Sequence, residues 1–445
     1  MTIEKAITIN KVPRAFIAEP LEGEELSLFL NTNKARGGTP VRQRILRTLE
    51  NNNYEAWHSL FVGYRGCGKS TELNKLKQDI IDAGDEYLVL SYSVFKELDP
   101  NNINYIELFI VTMEKLFVAA AENGIKISNE YWEKIKLWDS STEISKIKET
   151  HLGAEFEAGV ETSFGIPYFQ KLFAKLKATA KTTRSFKEVL TTEIEPRLTD
   201  LIDNCNLLIN EVRLGLIANG KKDLLIIIED IDKISQEAST ELFVKHSRPL
   251  TQLNANMIFT FPIALYCSSH FASIKPFFKD SFELPMIKVK EKNGEESPIG
   301  IETMEQIVAK RMDLSLFENT DTLKQMILMS GGCLRDLFLL IKEAAEIARD
   351  YERDKILETD YQKSLNYLLN DYQRYLSDEK IEGEFFSVQD LYNELIPLIK
   401  EGIYENSLVM FKLRQTLCVL GYNGEFWWAV HPIVKLILER KGKLN

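Results

Sequence analysis

The chain switches repeatedly between two hydrophobic rhythms. Mainly apolar runs of strand length occur at 57–62, 87–94, 224–228 and 257–267, the third of them unbroken, with a shorter one at 286–289. Runs of this kind mark strands buried on both faces. Apolar residues spaced at three and four mark helices at 41–49, 71–76, 102–122, 321–329 and 334–349. Strand and helix alternate from 57 to about 124, stop, and resume at 223. That order predicts an α/β fold, a parallel sheet whose strands are joined by crossover helices.

The interruption, about 125–220, reads as an insertion. Its stretch 154–164 alternates as a strand does, 165–167 can turn, and 171–181 can alternate back. A hairpin here would set the glutamates of one arm against the lysines of the other. The second arm also fits a helix, with Phe169, Leu172, Phe173 and Leu176 on one stripe. A long helix is expected over 186–216, with a kink or break at Pro196. Toward the C-terminus, two helices precede apolar segments 420–422 and 426–430, which flank Asn423-Gly424, a two-residue hairpin turn signal. Helices followed by a hairpin predict a winged helix. The expected division is therefore a lead-in segment 1–56, a core 57–300 containing the insertion, a helical lid 301–376, and a winged-helix-like unit 377–445.

Composition narrows the class. The 445 residues are 44% apolar and 27% charged, with 55 basic against 66 acidic side chains, a net charge of −11. That balance argues against wholesale wrapping of nucleic acid. Within 378–445 there are 8 basic and 10 acidic residues, so the expected winged helix lacks the basic footprint of a DNA reader. Its candidate recognition helix, 407–417, carries only Lys412 and Arg414. DNA is a possible partner and not the favoured one. No apolar run reaches membrane-spanning length, and the first residues lack the pattern of a signal peptide. Five cysteines without metal-ligand spacing fit free thiols in a reducing cytoplasm.

One motif dominates the chemistry. Gly63-Tyr64-Arg65-Gly66-Cys67-Gly68-Lys69-Ser70-Thr71 matches G-x-x-x-x-G-K-[ST] and lies between a predicted strand and a predicted helix. Glycines permit the tight turn that aims successive amides at an anion, and the helix adds its N-terminal dipole. Lys69 is expected on the β- and γ-phosphates of a nucleotide, and Ser70 on Mg²⁺. A second motif follows the strand 224–228, whose apolar run ends in Glu229-Asp230-Ile231-Asp232. Carboxylates at the C-terminal end of a parallel strand lie where ligands of open α/β sheets bind. The expectation is Glu229 on the metal side and Asp230 as the base that orients water, with Asp232 as base if the strand is shifted by one residue.

Together with Ser330-Gly331-Gly332-Cys333-Leu334-Arg335-Asp336-Leu337, these motifs resemble the AAA+/STAND division of P-loop ATPases. The first two are similar to those of bacterial ATPases common in defence and signalling loci. The resemblance covers roughly 40–350 and, more weakly, the tail. It implies an ATP-hydrolysing molecular switch needing ATP and Mg²⁺, with Arg335 as a lid arginine reaching the γ-phosphate and Thr260 as the polar residue of the intervening strand. It also implies a protein partner, met through the insertion or the winged helix, and leaves a homo-oligomer open. Two departures matter. Glu-Asp replaces the usual order with Asp first, which implies slow hydrolysis. No arginine lies between Arg248 and Arg311, so a finger acting in trans has no evident source. The alternative function is an initiator-like ATPase that binds DNA through its winged helix.

Overall fold

The apolar runs become one sheet. The structure, a computed structural model, describes residues 3–52, 55–84, 86–100, 103–131, 133–134, 198–381, 383–422 and 427–444. Five strands, β1 (His58–Gly63), β2 (Tyr87–Ser93), β3 (Asp223–Glu229), β4 (Asn256–Pro262) and β5 (Asp280–Leu284), lie in the order β2-β3-β4-β1-β5. All their pairings are parallel. The strands β1 and β4 are buried along their whole length, and β3 up to Glu229, as central parallel strands covered on both faces must be. With β4 inserted between β1 and β3, this is the α/β fold of P-loop NTPases in its ASCE form.

Helices α1 (Val41–Asn51), α2 (Lys69–Asp82), α3 (Tyr105–Glu122) and α4 (Leu198–Ala218) accompany the sheet. The start of α3 is fixed by Asn104, whose side chain accepts from the Ile106 amide, and by Glu107, which accepts from the Asn104 amide. The hairpin or helix expected at 154–181, the break at Pro196 and the Asn423-Gly424 turn fall outside the described residues.

Two strand expectations need correction. The run 257–267 is half strand. It stops at Pro262, which cannot continue the ladder as a donor, and turns into the one-turn helix Ile263–Tyr266. The segment 286–289 forms a single isolated bridge, Met286 to Tyr422. The fifth strand is instead Asp280–Leu284, whose polar residues mask it.

Four helices follow: α5 (Pro298–Arg311), α6 (Thr320–Met329), α7 (Leu334–Asp350) and α8 (Glu358–Tyr375). The N-terminal residues pack on them. Phe16 meets Phe338 edge-on at 5.3 Å, and Arg311 donates to the Ala15 carbonyl at 2.7 Å. A short hairpin, β6 (Glu379–Ile381) and β7 (Glu384–Phe386), leads to α9 (Val388–Glu401) and α10 (Leu408–Gln415). The antiparallel pair β8 (Val419–Tyr422) and β9 (Trp427–Val430) and the helix α11 (Pro432–Arg440) complete the C-terminal unit. Here α10 packs against the helix Ile263–Tyr266, and α11 against α8. Among the described residues no helix is long and apolar enough to cross a membrane, and all five cysteines are buried and unpaired.

Candidate functional site

The loop between β1 and α2 is shaped by its glycines. Gly66 (φ 76°) and Gly68 (φ 102°) take left-handed conformations, and Gly68 precedes the first residue of α2. A Cβ on Gly66 would stand 2.7 Å from the Cβ of Arg335, so glycine there lets the start of α7 approach. The amides of Gly66, Gly68 and Lys69 donate to no acceptor among the described residues. A turn of unpaired amides at a helix N-terminus is an anion site in waiting.

Lys69 is folded into this loop. Its ammonium donates to the carbonyls of Gly63 and Tyr64, both at 2.8 Å, and pairs with Asp232 at 2.9 Å. The carboxyl of Asp232 feels opposed influences. Burial pushes it up, but Lys69 and Lys233 outweigh that and hold it below the usual carboxylate range.

The three acids at the end of β3 and just beyond it diverge because of one backbone turn. Asp230 has φ 70°, uncommon for a non-glycine residue. Glu229 accepts from Ser91 at 2.8 Å and Lys77 at 3.2 Å. Asp230 accepts from Ser93 and pairs with Lys233. Only Asp232 lines the cavity with Lys69 and Ser70. Thr260 stands behind this turn, fully buried, accepting from the Ile231 amide at 3.1 Å and donating to the Ile228 carbonyl at 3.3 Å. The structure thus joins Lys69, Ser70, Arg335 and Asp232 at one cavity, with Thr260 as support, and places Glu229 and Asp230 away from it.

That cavity has a volume of about 310 Å³, within the range of small-molecule sites. Its lining combines the cations Arg36, Arg65, Lys69, Arg311 and Arg335 with the apolar side chains Leu21, Phe29, Ile307 and Phe338. A group that carries both clustered negative charge and a flat ring suits such a lining, as a nucleoside triphosphate does. Arg65 donates to the Lys233 carbonyl at 2.9 Å, and burial lowers its guanidinium from the ordinary arginine value.

Arg36 carries no motif that singles it out, yet it holds the loop from behind. It donates to the Cys67 carbonyl at 2.6 Å, to Thr32 Oγ1 at 2.7 Å and to the Pro285 carbonyl. Leu21 binds Thr71 and Asn74 of α2 through its amide and carbonyl. Arg311 also lacks a sequence signal. Asp232 had one, as the third carboxylate of its motif. Among the described residues no cluster of three or more His, Cys, Asp or Glu could hold a metal by itself. A Mg²⁺ here would therefore rely on Ser70, one carboxylate and phosphate oxygens, which suits an ion that keeps several waters.

No family model matches the chain, and no curated protein matches it by sequence. Solved structures share its backbone course loosely. The Walker-type ATPase PABY2304 of Pyrococcus abyssi is 12% identical, covering 96% of this chain and 99% of that one, with a TM-score of 0.45. The Aeropyrum pernix ORC1 protein in complex with DNA is 11% identical, with 96% of each chain covered and a TM-score of 0.40. The Thermotoga maritima RuvB Holliday junction branch migration motor is 11% identical, with 96% and 98% covered and a TM-score of 0.35.

Proposed function

We propose that this chain binds ATP with Mg²⁺ and hydrolyses it slowly, as a switch of the AAA+/STAND type whose nucleotide state governs its C-terminal unit. The observation that carries this reading is the cavity where Lys69 and Asp232 meet beneath Arg335, beside amides that have no acceptor. Lys69 exchanges the carbonyls of Gly63 and Tyr64 for the β- and γ-phosphate oxygens. Ser70 and Asp232 would hold Mg²⁺ and its waters, and the ion would supply charge neutralisation for the phosphates. Asp232, once Lys69 has turned to phosphate, is the carboxylate free to orient a water. Thr260 keeps Asp232 in place, and Arg335 meets negative charge growing on the γ-phosphate. Glu229 acts one layer out, fixing α2 to β3 through Lys77.

The defence or signalling setting rests on the motif resemblance, and a protein partner at the 125–220 insertion or the C-terminal unit belongs to the same reading. Steady-state hydrolysis of ATP by the whole chain tests it. Turnover that Lys69→Ala removes is the expected result; no ATP binding by calorimetry overturns it.

An initiator-like DNA-binding ATPase is the second reading, kept because the Aeropyrum pernix ORC1 protein, named as a complex with DNA, is among the similar folds. One feature of the present arrangement counts against it. Lys412 pairs with Glu379, and Arg414 lies over Trp428 at 4.4 Å, both buried. Helix α10 would have to leave its seat before it could enter a groove. Duplex binding below micromolar that survives about 0.2 M salt would put this reading first, because contacts to phosphates alone fade steeply there.

A further inference from the structure

Tyr64 belongs to the phosphate loop, yet its side chain leaves it. The ring is fully buried in the seam between the sheet and the C-terminal hairpin, edge-on to Trp428 at 6.5 Å. The hairpin closes over it through Gly421 on β8. A Cβ at that position would stand 3.2 Å from the Tyr64 hydroxyl and 2.6 Å from the Trp428 ring. Arg414 covers Trp428 and hydrogen-bonds Asn406 at 3.0 Å.

This seam is closed but poorly satisfied. Among the described residues, Tyr64 Oη, Trp428 Nε1 and Arg414 Nε are all buried without a hydrogen-bond partner. Glu283 on β5 lines the same seam, and burial pushes its carboxyl up to about 7. Buried polar atoms without partners are rare because their lost hydration is not replaced. Three of them in one joint mean that opening it returns hydration, which offsets part of the free energy needed to separate its apolar faces.

The other end of Tyr64 is held by the loop cation. Lys69 donates to the Tyr64 carbonyl, and a triphosphate in the loop claims that ammonium. Filling the loop therefore removes a restraint on the residue whose ring wedges the hairpin. The hairpin also grips the turn that presents Arg335. Tyr422 donates to the Gly331 carbonyl at 2.7 Å, and the His431 ring nitrogen lies 3.1 Å from both the Ser330 carbonyl and Asp336.

We propose that Tyr64 is a positioning residue that couples filling of the phosphate loop to release of the C-terminal unit from the sheet. The inference rests on the nucleotide reading above and adds the part that transmits it. By linkage, a ligand that loosens the seam must bind more tightly when the seam is already loose.

The test uses the whole chain and a slowly hydrolysed ATP analogue. Hydrogen exchange is followed at 419–422 and 427–430, and analogue affinity is measured by calorimetry. In the wild type, analogue speeds exchange in the hairpin. Trp428→Ala and Gly421→Ala, which weaken the seam by removal and by crowding, bind analogue about fivefold tighter or more. Tyr64→Ala leaves a hairpin that no longer responds to analogue, and Tyr64→Phe, which keeps the ring, restores the response. Analogue binding with unchanged hairpin exchange in the wild type overturns the coupling alone. The coupling is likewise overturned if Gly421→Ala and Trp428→Ala both bind no tighter than wild type. No analogue binding by the wild type overturns the nucleotide reading and the coupling with it.

Discussion

Two regions of this molecule gather cations, and they use them in opposite ways. Around the cavity, Arg36, Arg65, Lys69, Arg311 and Arg335 converge from distant parts of the chain on a void whose acids are few. On α10, Lys412 and Arg414 are consumed by the protein itself, one by Glu379 and the other by the rings of Trp428 and Tyr404. Both regions look alike as a list of basic residues. What separates them is what each cation faces. Among the described residues only Lys69 of the cavity cations makes an ion pair, while Arg36, Arg65 and Arg311 donate to carbonyls, so a polyanion would supply counter-charge that the protein does not. On α10 the charge of Lys412 already meets a carboxylate and that of Arg414 two aromatic faces.

The sharpest way to break this contrast is to remove the acid that shares the cavity. Asp232→Asn should weaken Mg²⁺-dependent ATP binding and slow hydrolysis by roughly 10²–10⁴-fold, the latter being the loss expected of a general base. Asp230→Asn, whose carboxylate lies outside the cavity, should slow turnover far less. Single-turnover kinetics compares the two, and equal losses would return the base to Asp230. Next comes the loop cation. Lys69→Ala should weaken ATP binding by about 10²-fold or more, since each hydrogen bond from a charged donor contributes about 1.5–3 kcal/mol. Calorimetry with unchanged affinity would reject the loop assignment.

On the other side of the contrast, Arg414→Ala should cost about 1–3 kcal/mol of stability through lost stacking and packing over Trp428, read by denaturant unfolding. It should not weaken ATP binding; a loss of affinity would show that α10 serves the cavity after all. The smallest effect concerns pH. The carboxyl of Glu283 is raised by burial from 4.5 to about 7, so the folded state holds a proton that the unfolded chain gives up. Its contribution to stability is complete below about pH 4.5 and is lost as pH rises through about 7. Glu283→Gln should flatten the fall in stability over that window, by on the order of 2 kcal/mol. An unchanged pH profile would place the titration elsewhere.

The loop, the helix behind it and the acidic strand were legible because each combines a local pattern with a local conformation. A glycine-rich turn after an apolar run can hardly fold otherwise. The strand β5 was not legible, because Asp280-Ser281-Phe282-Glu283-Leu284 buries few side chains at the sheet edge. The division of labour among Glu229, Asp230 and Asp232 was hidden for a different reason. Residue types announced carboxylates at the strand end, but the left-handed turn at Asp230 decides which one looks inward. Strand alternation gives no warning of such a turn. Arg36 was beyond reach altogether, since its partners Cys67 and Pro285 are fixed only by the tertiary fold.

The N-terminal wall of the cavity has a consequence for synthesis. Phe16 rests on Phe338, the Ala6 amide on the Arg311 carbonyl, and Lys310 on the carbonyls of Ser27 and Phe29. These partners are separated by some three hundred positions in a chain made from its N-terminus onward. The ribosome therefore delivers one wall of the cavity early and its counterpart only after the whole sheet has emerged. Until then Phe16 lacks the ring it rests on, whereas Phe29 already has Arg42 over its face. The cavity closes late in synthesis, although the residues that begin it are among the first to be made.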